Sequence, residues 1–218
     1  MKLTEIWRYP VKSMAGERMQ RARLGPLGII GDRILHAESA GGRVLTSRSL
    51  PRFLGHQATL DAKGKVLVDG RPWKDPSVAA EVEEIGGEGA QLVHFEGAER
   101  FDVLPLLVAT DGAIAAFRHD HRRLRPNLVI GGVSGMAERG WPGAVLQIGA
   151  VRIGIQDLRS RCIMTSFDPD TLVQDKGITR GIYERFEGKL ALNCFVIEGG
   201  EIAVGDAVQL VGELGTEP

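Results

Sequence analysis

Helix-length apolar periodicity is scarce in this chain, whereas short alternating or β-branched runs broken by glycine pairs recur from end to end. That pattern restricts the fold to paired strands. Arg33 to Arg48 reads RILHAES, AGG, RVLTSR, two strands about a Gly-containing turn. Gln57 to Gly70 (QATLDAKGKVLVDG) turns at Lys63 and Gly64, and Val145 to Ile155 (VLQIGAVRIGI) forms a third hairpin. Ala191 to Leu210 is predicted as a fourth, pivoting at Gly199 and Gly200. Many short strands at regular spacing imply a barrel or sandwich to which the first and last parts of the chain both contribute.

Two segments read as helices. Thr110 can cap TDGAIAAFRHD, whose Ile114 and Phe117 share a face, and Gly177 to Phe186 carries a weaker pattern. No repeat or low-complexity linker divides the chain, and the Gly-rich acidic stretch Glu83 to Gln91 (EEIGGEGAQ) is the nearest thing to a seam. With 218 residues, 43% of them hydrophobic, there is apolar material for one sizeable core or two small domains. A formal net charge of -1 gives no overall positive field, so nucleic acid and anionic membranes are not expected partners and any anion site is local. The N-terminus has no apolar signal region and no stretch reaches membrane-spanning length, so a soluble cytoplasmic protein is expected. Two cysteines, Cys162 and Cys194, are too few for an iron–sulfur cluster or a Cys-rich zinc site, and in a reducing compartment they are not expected to pair.

Cys162 stands in RSRCIMTSFDPDT, residues 159 to 171. Read as packing, it is a small hydrophobe, the commoner role of a cysteine. Read as chemistry, Arg159 and Arg161 lower the thiol's pKa, Ser160 and Thr165 add hydroxyl donors, and the thiolate becomes a ligand for a soft or high-valent metal centre. Asp168 to Thr171 (DPDT) is either an ordinary Asp–Pro turn or a carboxylate and hydroxyl at the mouth of the cysteine's pocket. In YPVKS (Tyr9 to Ser13), Lys12 and Ser13 follow a strand that Pro10 ends; they are half a phosphate grip or a solvated strand end. Gly31-Asp32-Arg33 offers a guanidinium at a strand start, or a surface ion pair.

His119 to Asn127 (HDHRRLRPN) is the densest cationic run. Its bland reading is a solvated basic loop. Against that, Arg125 and Asn127 lead straight into the apolar strand LVI, and a guanidinium with an amide suits a phosphate or a heterocycle edge. The pair His119 and His121 has metal-ligand spacing but no third ligand nearby. No Walker loop, G-x-G-x-x-G turn, G-x-S-x-G elbow or H-E-x-x-H helix is present.

Taken in order, YPVKS, GDR, RLRPN, RC with DPDT downstream, and the closing G-x-I-x-V-G-D-x-V-x-L of Gly200 to Leu210 resemble the MOSC proteins with their N-terminal β-barrel partner domain. The resemblance spans nearly the whole chain. It implies a mainly β fold with a few short helices, comprising a smaller N-terminal β-barrel-like domain (1–95) and a β-barrel MOSC domain (96–213). The family includes the mitochondrial amidoxime-reducing components and bacterial relatives, so the resemblance implies a molybdenum cofactor, a molybdopterin, with Cys162 as metal ligand. Candidate catalytic residues are Cys162 and Asp168. Lys12, Ser13, Arg33, Arg125 and Asn127 correspond to residues that hold the pterin and its phosphate, Ser160, Arg161 and Thr165 flank the cysteine, and Thr110 with Asp111 fall where relatives also contact the cofactor. The cofactor is expected between the domains.

The chemistry so implied is oxygen removal from a small N-hydroxylated substrate, with electrons from a separate flavoprotein, ferredoxin or b5-type cytochrome. Two rivals share the pocket: a sulfur carrier using a Cys162 persulfide, and a cofactor storage or transfer protein. Pyridoxal phosphate is not expected, since no Schiff-base lysine is apparent. The chain departs from the family in reading DPDTL, with Leu172 where relatives have glycine, so that turn is expected to differ in shape. A short segment from Val173 to Lys189 is expected to leave the pocket more open. Cys194, in an apparent core strand, reads as structural.

Overall fold

In the computed structural model, which describes residues 1–215, the first strand, Lys2–Arg8, is paired into a sheet made mostly of strands from the other end of the chain. The sheet has eight strands in the order Val208–Glu213, Ala144–Ile148, Val151–Ser160, Lys189–Glu198, Leu106–Thr110, Leu128–Gly131, Lys2–Arg8, Glu17–Met19. The Leu3 amide donates to the Asp206 carbonyl at 2.9 Å and the Val208 amide to the Met1 carbonyl at 3.0 Å. These bonds bring Lys2–Arg8 back against the opposite edge and close the sheet into a barrel, which removes the exposed strand edge. Alternation turns Leu3, Ile6, Val108, Ile130, Ile153 and Leu192 into one interior. Cys194 is fully buried there, and burial pushes its thiol pKa up.

Val11, Leu35, Phe53, Val68 and Val82 build a second core, while Ala22, Leu24 and Ile29 stay with the barrel interior. Around it lie two three-stranded sheets, one of Gln91–His94, Leu35–Glu38 and Val44–Leu45, the other of Ala58–Leu60, Val66–Val68 and Arg71–Pro72. A helix, α1 (Pro76–Gly86), covers them. Asp75 caps it by accepting from the Ser77 amide, Pro76 stands in the first turn, Val78, Val82 and Ile85 form the buried face, and Gly87 at φ 93° ends it. Helix α2 (Asp111–Phe117) belongs to the crossover between the parallel strands Leu106–Thr110 and Leu128–Gly131, and Thr110 caps it by accepting from the Ala113 amide. Helix α3 (Lys176–Phe186) packs Ile178, Ile182 and Phe186 against Phe117 and Leu124.

The mainly β fold with three short helices agrees with expectation, and three of the four hairpins form as read. The fourth does not. Lys189–Glu198 pairs with Val151–Ser160 and Leu106–Thr110, Gly200–Ala203 pairs with Arg21–Gly25, and Val208–Glu213 pairs with Ala144–Ile148. At Gly199 a Cβ would lie 2.5 Å from the Leu24 carbonyl oxygen; the glycine lets the chain pass that strand and change sheets instead of folding back. Nor is Glu83 to Gln91 a seam, because α1 ends within it and Gln91–His94 returns to the sheet of Leu35–Glu38.

The two cores are tied by a buried polar knot. Asp32, with no exposed surface, accepts from the Tyr9 amide at 2.7 Å, from the Asn127 amide group at 3.3 Å and from the Arg33 guanidinium. Asn127, equally buried, also accepts from the Leu107 amide at 3.1 Å and donates to the Trp7 carbonyl at 3.3 Å. The Tyr9 hydroxyl donates to the Pro126 carbonyl, and Arg33 and Arg125 both lie against its ring. Removing one member strands the others without solvent. Asp32→Ala is therefore expected to lower the unfolding free energy by about 3–5 kcal/mol, seen as a lower urea midpoint at unchanged m; a loss below about 1 kcal/mol would mean the knot is not a structural tie.

Candidate functional site

Between the two cores opens a cleft. Strand ends and tight turns supply its walls. Lys12 and Ser13 come just past Lys2–Arg8, Arg33 follows the Gly31 turn, Arg125 ends a 3-10 turn over His121–Leu124, and Arg159 to Cys162 leave the end of Val151–Ser160. Ser13, Arg33 and Arg125 have φ of 74°, 52° and 55°. A left-handed backbone at a residue with a Cβ costs about 1–3 kcal/mol and persists only where surrounding contacts over-determine it. Three such residues converge on this one cleft.

Among the described residues eight cationic side chains line the cleft against one carboxylate, Asp102. Asp102 is shared: Lys12 Nζ lies 2.9 Å away, Arg48 Nη2 2.5 Å and Arg159 Nη2 3.8 Å. Burial works against its charge, but the bond from Lys12 and the charges of Lys12, Arg48 and Arg159 outweigh it and hold its pKa below the usual aspartate value. Arg33 pairs with Asp32 and Arg123 with Asp168. Arg100, Arg125 and Arg161 are in none of these pairs. Burial pushes Arg125 down to about 10, and burial reinforced by the neighbouring Arg159 charge does the same to Arg161. Among the described residues, Arg100 Nε, Arg123 Nη1 and Arg161 Nε are buried with no hydrogen-bond partner. Desolvated guanidinium groups with a donor left unused are costly to hold, and the excess of positive charge suits an anion.

The structure brings Lys12, Ser13, Arg33, Arg125, Asn127, Ser160, Arg161 and Cys162 to this one wall, although 150 residues of sequence separate Lys12 from Cys162. Cys162 is partly exposed and unpaired. Thr165 is fully buried and acts behind it, donating from its hydroxyl and its amide to the Cys162 carbonyl at 2.9 and 3.1 Å. Asp168 is in the turn it forms, accepting from the Asp170 and Thr171 amides, and reaches the cleft only through Arg123 at 2.7 Å. Thr110 and Asp111 lie outside the cleft lining. The Thr110 hydroxyl caps α2 and donates to buried Glu138, and Asp111 accepts from the Gly132 and Val133 amides. His119 packs on Phe117 while His121 bonds Glu5, so the pair is split between partners. Leu172 takes φ 58°, the left-handed conformation a glycine would adopt without strain.

Arg48, Arg100 and Asp102 were not singled out from the sequence. Arg48 closes the hairpin that Arg33 opens, so antiparallel pairing places it at the same end, and that signal was available. Arg100 and Asp102 come from an irregular stretch before Pro105, where no periodicity points.

A closed barrel joined to a smaller β layer sets a thiol, a group of the kind that binds soft metals, in a cleft whose wall is mostly cationic. The chain belongs to the MOSC family: residues 1–115 match the MOSC N-terminal beta barrel domain and residues 98–209 the MOSC domain. The family is associated with the molybdenum cofactor. The chain is 28% identical to mitochondrial amidoxime-reducing component 1 of Homo sapiens, over 97% of this chain and 83% of that protein. Against mitochondrial amidoxime-reducing component 1 of Mus musculus it is 25% identical, over 97% and 82%. Among solved structures, the YuaD protein from Bacillus subtilis shares the fold at a TM-score of 0.52 and 12% identity, covering 95% of this chain and 93% of that one.

Inorganic pyrophosphate is expected to raise the Tm of cofactor-free protein by roughly 5 °C or more at saturation, the rise shrinking with added salt. Asp102→Asn should enlarge that rise by removing the competing carboxylate, and no response in either protein would contradict an anion site. Because the Asp102 pKa is depressed in the fold, its pairs stabilise above its unfolded pKa of about 3.9 and are lost as pH falls below it. Wild type should thus lose stability on acidification more steeply than Asp102→Asn.

Proposed function

We propose that this protein is a molybdenum-cofactor-dependent reductase of small N-hydroxylated compounds, supplied with electrons by a separate flavoprotein, ferredoxin or b5-type cytochrome. The observation that carries the reading is the placement of the Cys162 thiol on a cleft wall where eight cationic side chains face one carboxylate. The names of the human and mouse relatives support the reaction class.

The residues suit a molybdopterin. Its phosphate needs fixed positive charge and donors, which Lys12, Arg33, Arg125 and the Ser13 hydroxyl supply. Its pterin edge needs a planar polar partner, which Arg161 and Ser160 supply beside Cys162; Asn127 holds Arg33 and the Leu107 backbone in place. Cys162 is the thiolate ligand that a high-valent metal prefers. When bound, the group supplies two-electron oxygen-atom abstraction, so that the substrate's N–O bond breaks and water leaves. Of the two expected domains, 1–95 and 96–213, the first lends Lys2–Arg8 to the barrel of the second, so the group would lie between that barrel and the smaller β layer of Leu35–Glu38 and Ala58–Leu60. Asp168 acts at one remove, by fixing Arg123.

Protein purified from a host that makes the cofactor is expected to oxidise a reduced viologen dye when an amidoxime or hydroxylamine is added. Cys162→Ala should lose at least about a hundredfold in that rate. Cofactor-replete protein with no dye-linked turnover would favour storage or transfer, and a persulfide on Cys162 found by mass spectrometry in molybdenum-free protein would favour the sulfur carrier.

A further inference from the structure

A second cleft, of about 420 Å³, opens on the other side of Arg123, Arg125 and Met164, which line both cavities. Its character differs from the first. Trp7, Tyr9 and Phe167 give it aromatic walls. Arg122, at its rim, is saturated by Asp120 and Asp170 at 2.7 and 2.6 Å. Arg123 is held to Asp168 through Nη2, its side chain is only 9% exposed, and its Nη1 is buried without a partner. Arg125 makes no ion pair among the described residues and stacks on Tyr9 with its guanidinium carbon 4.3 Å from the ring centre. Asp170, already matched by Arg122, is the carboxylate in the lining. The cleft therefore joins flat apolar walls to two guanidinium groups, Arg123 with one nitrogen unpartnered and Arg125 in no ion pair among the described residues.

We infer that this second cleft binds a planar aromatic carboxylate. The ring would lie against Trp7 and Phe167, and the carboxylate would accept from Arg123 and Arg125. A small inorganic anion leaves the aromatic walls unused, and a neutral aromatic leaves the buried guanidinium nitrogen unmatched. The cleft is within the size that takes a small organic ligand. The inference goes beyond the molybdopterin reading and does not rest on it.

The test is calorimetric titration of the purified protein with 2-naphthoate and with 2-naphthamide, its neutral isostere. Naphthoate is expected to bind at one site, and the amide at least about tenfold more weakly, because a hydrogen bond to a charged group is at stake. Arg123→Gln should abolish the preference for the acid. Phe167→Leu, which leaves every charge in place, should weaken both ligands together and keeps the test open if the arginine variant does not fold. Lys12→Ala, in the first cleft, should leave naphthoate binding unchanged. Equal affinity for acid and amide, no saturable heat, or loss of naphthoate binding in Lys12→Ala would each overturn the inference.

Discussion

Everything in the cleft depends on one buried carboxylate. Asp32 has no solvent to neutralise it and is instead held by the Tyr9 amide, the Arg33 guanidinium and the Asn127 amide group. Those three groups come from the end of the first strand, the turn that follows Gly28–Ile29, and the residue just before the barrel strand Leu128–Gly131. Their convergence fixes the angle between the two cores and, with it, the direction of Arg33 and Arg125, which lie against the same tyrosine ring. A network of this kind stabilises only while it is complete, so the positions of the cationic groups are set before any guest arrives.

The cleft wall is electrostatically unfinished by contrast. Its cations exceed its carboxylates, burial lowers the pKa of Arg100, Arg125, Arg159 and Arg161, and three guanidinium nitrogens have no acceptor among the described residues. Folding has placed desolvated positive charge where the fold itself gains least from it, and in strained backbone at Ser13, Arg33 and Arg125. Such costs are tolerated where binding repays them. Asp102 is the internal substitute, sharing its two oxygens among Lys12, Arg48 and Arg159, and its side chain is 30% exposed.

The sequence was legible where chemistry and local pattern coincide. Alternation gave the strands, Gly-containing turns gave three hairpins, and Thr110 gave the cap of α2. Cleft residues flagged one by one as ordinary strand ends, such as Lys12 and Arg33, became informative as an ordered set because a barrel closed by its first strand brings distant turns together. Helix α1 was missed because only three apolar residues, Val78, Val82 and Ile85, mark its face, although Asp75-Pro76 and Gly87 bracket it. The fourth hairpin failed for a different reason: Gly199 and Gly200 look like a turn, yet the close approach to Leu24 is a tertiary fact. Thr110 and Asp111 show the converse limit, since a cap and a ligand are written with the same residues.

Metal and pterin content measured together test the central claim most directly. If the Cys162 sulfur is the protein ligand in this cleft, wild-type protein from a cofactor-producing host carries molybdenum and releases fluorescent oxidised pterin in equal amounts, near one per chain, and Cys162→Ala loses most of the metal. Wild-type protein free of both, or a Cys162→Ala protein with undiminished molybdenum, would contradict it.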